Sequence, residues 1–366
     1  MSNKILRPIA IHLPQFHPIP ENDKWWGKGF TEWTNVVKAK PLFEGHYQPH
    51  LPSDLGFYDL RLPEAREAQA SMAREYGIYG FCYYHYWFNG KRILERPVND
   101  IIELKKPDFP FCVCWANENW TRKWDGNDGE ILLKQNYSLE DHKLHMQYLC
   151  RNVFSDSRYI RVDNKPLFIV YRSSNIPDPV AAIETWRETA LETGIGEIYI
   201  CRMEIGYHPV DPRDIGFDAS IHFHPDTYGI KTLQTKGVNI FNGTRNKIFN
   251  NVVRANQVFS YPAYVEEMLS RSKPSYKLYP GVMPGWDNSS RVANNRVIFI
   301  DSSPEIYGYW LKGEIEKFKP FSNSENFIFI DAWNEWAEGN HLEPCQKWGH
   351  QYLEVTKKIL ESTKAK

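Results

Sequence analysis

The chain reads as an α/β protein, a (β/α)8 TIM barrel with long βα loops, on three observations. Eight apolar runs of strand length recur from one end to the other, most of them apolar nearly throughout, as parallel strands covered on both faces must be. Helical patterns separate most of the runs, and this alternation builds right-handed βαβ units that close into a barrel at eight strands. Each run also hands over at its C-terminal end to polar and aromatic residues. That rim is where α/β barrels place their chemistry.

The runs are Pro8–Leu13, Gly80–Tyr86, Pro110–Trp115, Leu167–Tyr171, Ile198–Met203, Ala219–Phe223, Pro280–Met283 and Phe327–Trp333. Between them, Leu62–Tyr76 carries apolar positions at helical spacing and stops before Gly77, a natural C-terminal signal. Val98–Lys105, Leu139–Phe154 and Val180–Thr193 continue the helical series; Pro262–Arg271 precedes the seventh strand, Pro304–Phe318 the eighth, and Tyr352–Ser362 closes the chain. Only Gly206 to Phe217, with two prolines, joins strands five and six, so little helix fits there. The stretches Gln15–Leu60 and Pro225–Tyr261 are long loops, as expected of a substrate-binding face. With no repeat, low-complexity tract or linker, the chain reads as one domain over residues 1–366.

A net charge of −1 and a pI near 6.9 exclude a polyanion or an anionic membrane surface as an expected partner, so no nucleic acid is implied. Aromatic residues reach 15 %, with 13 Trp and 21 Tyr. Without a basic excess this favours carbohydrate, the other source of such an excess being bulky core packing. Cys82, Cys112, Cys114, Cys150, Cys201 and Cys345 include no Cys-x-x-Cys pair, and four of them lie in strand-like runs. They read as reduced, buried thiols of a cytoplasmic protein. The opening MSNKILRPIAIHLPQFH lacks the pattern of a signal peptide, and no window is long and apolar enough for a membrane span. Oligomeric state is left open.

The densest chemistry is in the last strand and its sequel, FIFIDAWNEWAEGNHLEP. Glu335 and Glu338 are three apart, so one helical turn after the strand points both carboxylates the same way. Paired carboxylates beside indoles suit a sugar, whose face an indole covers and whose glycosidic bond the acids protonate and activate. Asn334 and His341 flank the pair. Other strand ends contribute Glu32 and Trp33; Tyr84, His85 and Trp87; Trp115, Asn117, Glu118 and Trp120, followed by Arg122 and Trp124; Arg172; His222 and His224; and Trp286. Together they describe a ring of donors, acceptors and aromatic faces around a pocket. Glu32, His85, Trp115, Glu118, Trp286, Glu335 and Glu338 are expected to line it, with Trp33, Trp87 and Trp120 at the mouth as stacking platforms.

Duller readings stand beside these. Glu32-Trp33 also suits a loop anchor, and Glu118 a structural acid paired with Arg122. His222 and His224 share a face of their strand and His-x-His ligates zinc, but no further His and Asp complete a set. No metal is therefore expected, and no cofactor. A Gly-x-Ser-x-Gly elbow, a P-loop and a Gly-x-Gly-x-x-Gly turn are all missing, so no phosphate cradle is visible.

HLPQFHPIPENDKWWGKGFTEW, CYYHYWFNGKRILERPV, CWANENWTRKWDG, MPGWDNSSR and DAWNEWAEGNHLEP resemble the WbsX-like family, bacterial polysaccharide-biosynthesis proteins with a glycoside hydrolase family 99-like domain. The resemblance runs from about Ile9 to Trp348. It implies the (β/α)8 barrel of that hydrolase family, whose members are retaining endo-α-mannosidases and mannanases with a Glu-Trp-x-Glu-Gly motif, here Glu335-Trp336-Ala337-Glu338-Gly339. Carried over, Glu335 is the base that deprotonates a sugar 2-hydroxyl, whose oxygen attacks the anomeric carbon to give a 1,2-anhydro sugar. Glu338 is the acid that protonates the leaving oxygen and later activates water, and it is expected to hold a proton near neutral pH. The long aromatic blocks are those of the WbsX-like group and not of the mannosidases.

Three functions follow. The first is an enzyme cleaving or transferring an α-linked, manno-configured (mannose- or rhamnose-type) sugar of a bacterial oligo- or polysaccharide. The second is a glycosyltransferase of O-antigen or capsule assembly, and the third a glycan-binding barrel without catalysis. The carboxylate pair disfavours the third, since a lectin needs aromatic faces but not two close acids.

Overall fold

The computed structural model describes residues 6–122, 127–206, 210–235, 256–293 and 295–364. Eight parallel strand positions form a barrel: Arg7–His12, Gly80–Phe88, Phe111–Trp115, Lys165–Val170, Tyr199–Glu204, Ala219–His222, Leu278–Tyr279 continuing as Gly281–Val282, and Phe327–Ile330. All eight predicted runs are strands. The first pairs with the second, Ile9 opposite Gly80, and with the eighth, Arg7 opposite Phe327.

Closure depends on the seventh strand, which changes partner at its middle. Leu278–Tyr279 pairs with the sixth strand and Gly281–Val282 with the eighth. Pro280, between them, has no N–H to give to either ladder, while its carbonyl accepts from Phe329 N at 2.9 Å. A Cβ on Gly281 would lie 1.8 Å from the His222 carbonyl oxygen, so only glycine lets strands six and seven come this close.

The surrounding helices are Pro63–Glu75, Arg96–Leu104, Leu139–Asn152, Pro179–Glu192, Tyr261–Ser270, Pro304–Lys317 and Gln351–Lys364. Their starts follow local chemistry: Ser138, Asp178, Ser260 and Ser303 each accept a backbone N–H of the first turn, and several helices carry proline there. Between strands five and six the described residues form a 3-10 turn, Pro212–Ile215, and no α-helix, in keeping with the two prolines. Periodicity did not disclose the short helices Pro20–Trp26 and Glu32–Lys38 of the first loop, or Thr227–Thr235 after strand six. Nor did it disclose the parallel ribbon of Gln257–Ser260 with Val297–Ile300. Each is shorter than the window in which a helical or strand period declares itself.

Strand parity divides the side chains into two sets. Cys82, Tyr84 and Tyr86 point into the barrel, as do Cys112 and Cys114, which are opposite Cys82 and Tyr84 in the register. The intervening residues face the helices. His85 meets His145, Trp87 donates to Asp141, and Trp115 packs on Trp186. All six cysteines are buried and free. Among the described residues no helix is long and apolar enough to cross a membrane.

Candidate active site

The eighth strand ends at Ile330, and the chain then makes a two-residue bridge, Asn334–Glu335, against Asn340–His341. Between them lies a 3-10 turn, Trp336–Glu338, with Glu335 before it and Gly339, at φ 58°, after it. This single turn puts Glu335 and Glu338 on one side, as their spacing of three requires. Both carboxylates reach the same guanidinium. Arg291 Nη2 is 2.9 Å from Glu335 Oε2, and Nη1 is 2.7 Å from Glu338 Oε1. A third carboxylate joins them: Glu32 Oε1 is 2.9 Å from Arg291 Nη2 and also accepts from Arg291 Nε at 2.9 Å. One Arg, with its planar fork of donors, thus gathers three acids from two loops, the first and the eighth.

The geometry is held from behind. Arg291 follows a 3-10 turn, Asn288–Ser290, whose start is capped by Asp287 accepting from Ser289 N at 2.9 Å. Asp287 also accepts from His46 Nε2 at 2.6 Å and Gln48 Nε2 at 2.8 Å. Since Leu42 N donates to His46 Nδ1, the His46 proton sits on Nε2. Two bonds clasp the Arg291 turn to the glutamate turn: Ser290 Oγ donates to Ala337 O at 2.6 Å, and Asp287 N donates to Glu338 O at 2.6 Å. Below, Trp336 Nε1 donates at 2.6 Å to Glu343, a buried carboxylate that also accepts from Tyr58 and Gln69.

Burial decides the electrostatics. Glu335 is 4 % exposed. Loss of water pushes its pKa up to about 8, and the charges of Glu338 and Glu32 push the same way against Arg291. Asp331, at the inner end of the last strand, is driven well above the carboxylate range by burial, with Glu335 and Glu338 adding to it. Its Oδ2 has no hydrogen-bond partner among the described residues. The sequence reading expected the stored proton on Glu338. The deeper, more desolvated member is Glu335, while Glu338, its side chain 17 % exposed, is paired with Arg291 Nη1.

Of the candidates, Glu32, Glu335 and Glu338 come together. Tyr84 joins them from the barrel interior, where Asp331 and Glu335 add to burial in keeping its hydroxyl protonated. Trp120 stands nearby, half-buried, with its ring centroid 5.3 Å from that of Tyr86 and 5.8 Å from that of Trp25. Glu118 and Arg172 pair with each other at 3.0 Å in partly exposed positions. The expected pairing of Glu118 with Arg122 is not made; Arg122 bonds Glu130 at 2.8 Å. Trp124 lies outside the described residues.

Other candidates stand elsewhere. His85, Trp87 and Trp115 were expected in the pocket, but parity turns them outward against the helix Leu139–Asn152 and its neighbour. His222, also outward, meets Asp226 at 3.1 Å. Asn117 and Asn334 are fully buried and spend their amides on the chain, Asn117 on Arg172 and Tyr137, Asn334 on Leu13 and Tyr58. Trp33 is no platform: it is buried against Phe16 and Trp336 with its N–H on Tyr58 O at 2.8 Å. His341 stacks under Trp336 at 3.8 Å. Trp286 and His341 border a separate cavity that none of Glu32, Arg291, Glu335 or Glu338 lines. Missed in the sequence were Arg291, Tyr86 and Asp331. Arg291 closes the MPGWDNSSR block, and the signal available was that three unpaired acids on strand ends need a cation.

Comparisons with known proteins show what the chain as a whole is similar to. A family model described as "Glycosyltransferase WbsX" matches residues 8–356. The "Uncharacterized protein WxcX" of Xanthomonas campestris pv. campestris strain B100 is 42 % identical over 356 residues, 96 % of this chain and 49 % of that protein. The WxcX protein of strain ATCC 33913 matches equally, at 42 %. The chain spans about half the length of these curated relatives. Among solved structures, the family 99 endo-α-mannosidase from Bacteroides thetaiotaomicron aligns over 98 % of this chain and 97 % of its own, at TM-score 0.57 and 15 % identity. A "glycoside hydrolase-like protein" aligns over 98 % of this chain and 95 % of its own, at TM-score 0.58 and 13 % identity. At these identities the likeness is one of fold.

Proposed function

The chain belongs to the WbsX glycosyltransferase family, and from that premise we propose that it is a carbohydrate-active enzyme that processes α-linked, manno-configured units of a bacterial polysaccharide with retention of configuration. The observation that carries this reading is the convergence of Glu335 and Glu338 on Arg291 at the C-terminal rim of the barrel. Glu335, ionised, takes the proton of the sugar 2-hydroxyl. The oxygen so freed attacks the anomeric carbon while Glu338 protonates the departing glycosidic oxygen, leaving a 1,2-anhydro sugar. Glu338, now a carboxylate, removes a proton from water as that water opens the ring, and Glu335 returns its proton to the 2-oxygen. Two displacements at one carbon retain its configuration. A carboxylate whose pKa is about 8 is a better match for a weakly acidic hydroxyl than an ordinary one, at the cost of being mostly protonated at pH 7.

The family's description favours a second reading, transfer of a sugar from an activated donor during surface-polysaccharide assembly. Incubation with α-mannosides and α-rhamnosides, with and without sugar nucleotides, separates the two. Hydrolysis without a donor supports the first, and product formed only with a sugar nucleotide supports the second. Binding without turnover under either condition would refute both and leave a glycan-binding barrel.

A further inference from the structure

Behind the glutamate turn lies a cavity of about 260 Å³ that the proposed chemistry does not use. It is walled by the rings of Phe43, Tyr47, Trp286, Phe299, Trp348 and Tyr352, drawn from the first loop, the loop after strand seven and the start of the last helix. Two donors at this wall, Trp286 Nε1 and Ser302 Oγ, are buried with no hydrogen-bond partner among the described residues.

The charges select the ligand. Glu44, Asp287 and Asp301 border the cavity against one ammonium, Lys347, which already lies over the Tyr47 and Trp348 rings at 4.5 and 4.8 Å. Three carboxylates to one ammonium repel an anion. Aromatic walls with a few polar atoms suit a neutral ring that carries hydroxyls on its edge and C–H bonds on its faces. We infer that this cavity is a second carbohydrate site, taking one neutral pyranose unit and separate from the carboxylate cluster. It touches the proposed machinery at Gly339 and through Asp287, whose N–H holds the Glu338 carbonyl. The choice of a sugar as ligand rests on the glycan reading above, but binding here is independent of turnover.

The test is ligand-observed NMR and calorimetry on the full chain with methyl α-mannoside, glucose, glucuronate and inorganic phosphate as probes, hydrolysis being assayed separately. A neutral sugar is expected to bind. Trp348→Ala, which removes a wall, and Ser302→Phe, which fills the space, should each weaken it by about tenfold or more, as loss of one stacking ring does. Glu338→Gln should leave it within about twofold, since that residue is outside the cavity. Circular dichroism identifies a variant that has not folded, and the other then carries the comparison. No binding of either neutral sugar at 100 mM, or tighter binding of glucuronate or phosphate, overturns the inference. So does binding that falls with Glu338→Gln and not with the cavity variants. Failure to hydrolyse any glycoside, with neutral-sugar binding intact, removes the catalytic reading and leaves this one standing.

Discussion

Arg291 brings one positive charge to a cluster of four carboxyl groups, Glu32, Asp331, Glu335 and Glu338, and that imbalance sets the expected pH behaviour. Glu335 has to be ionised to act as a base, and its pKa is raised to about 8. With an activated aryl glycoside, whose departure needs no proton from Glu338, kcat/KM should therefore climb about tenfold per pH unit up to roughly that value and then level. A profile that instead falls between pH 6 and 8 would make Glu335 the acid. The same shift affects stability. The folded chain holds this proton more tightly than the unfolded chain, so the group's contribution becomes steadily less favourable as pH rises from the ordinary carboxylate value of 4.5 towards 8. Glu335→Gln should therefore gain thermal stability relative to the parent at pH 9 compared with pH 5. Leaving-group chemistry separates the two acids. Glu338→Gln should lose about 10²–10⁴-fold on natural glycans, yet keep more of the bond-breaking step with an activated aryl glycoside, whose leaving group needs no proton. Glu335→Gln should damage both substrates alike, and a 2-deoxy sugar that binds should not react. Brisk turnover of that sugar, or inverted product in a first-turnover NMR experiment, rules out the 1,2-anhydro route.

At the scale of elements, two aromatic residues from neighbouring motifs take opposite roles. Trp120 starts a short strand, Trp120–Arg122, and stands half-buried beside Tyr86 and Trp25. Trp120→Ala should weaken glycan binding by about 1–3 kcal/mol with little loss of stability. Trp33, on the helix Glu32–Lys38, is 8 % exposed and packs under Trp336. Its removal should cost about 3–5 kcal/mol of folding stability through the cavity it leaves, measured by denaturant unfolding. Equal stability of the two variants would contradict this division. The seventh strand makes a sharper case. Gly281→Ala sets a methyl group where the His222 carbonyl already is, 1.8 Å away. Strands six and seven then have to separate, and a loss of about 2–4 kcal/mol is expected. An unchanged denaturation midpoint would mean that the barrel closes by some other contact.

For the whole molecule, eight βα units are enough to bring acids from the first and eighth loops onto a guanidinium from the seventh, although Glu32 and Arg291 are 259 residues apart. Every group in that cluster comes from this chain, which covers 49 % of its curated WxcX relative. The 366-residue chain alone is therefore expected to turn over the glycoside it is given. Activity appearing only when the remainder of such a relative is added in trans would place an essential group outside it. The barrel was legible in the sequence because its signals are local: apolar runs of strand length, helical periods between them, and proline and serine at helix starts. Glu335 and Glu338 were legible for the same reason, since three residues of spacing and one turn bring two side chains together. Local pattern does not show which face of a strand end lies inward: His85, Trp87 and Trp115 read as pocket residues, whereas the closed barrel turns the alternate positions, Tyr84 and Tyr86, inward. The partner change at Pro280 and the pairing of Arg291 with Glu32, Glu335 and Glu338 were decided only by the closed structure. The rise in the Glu335 pKa arises there too, because desolvation and the approach of distant charges exist only once the loops have met.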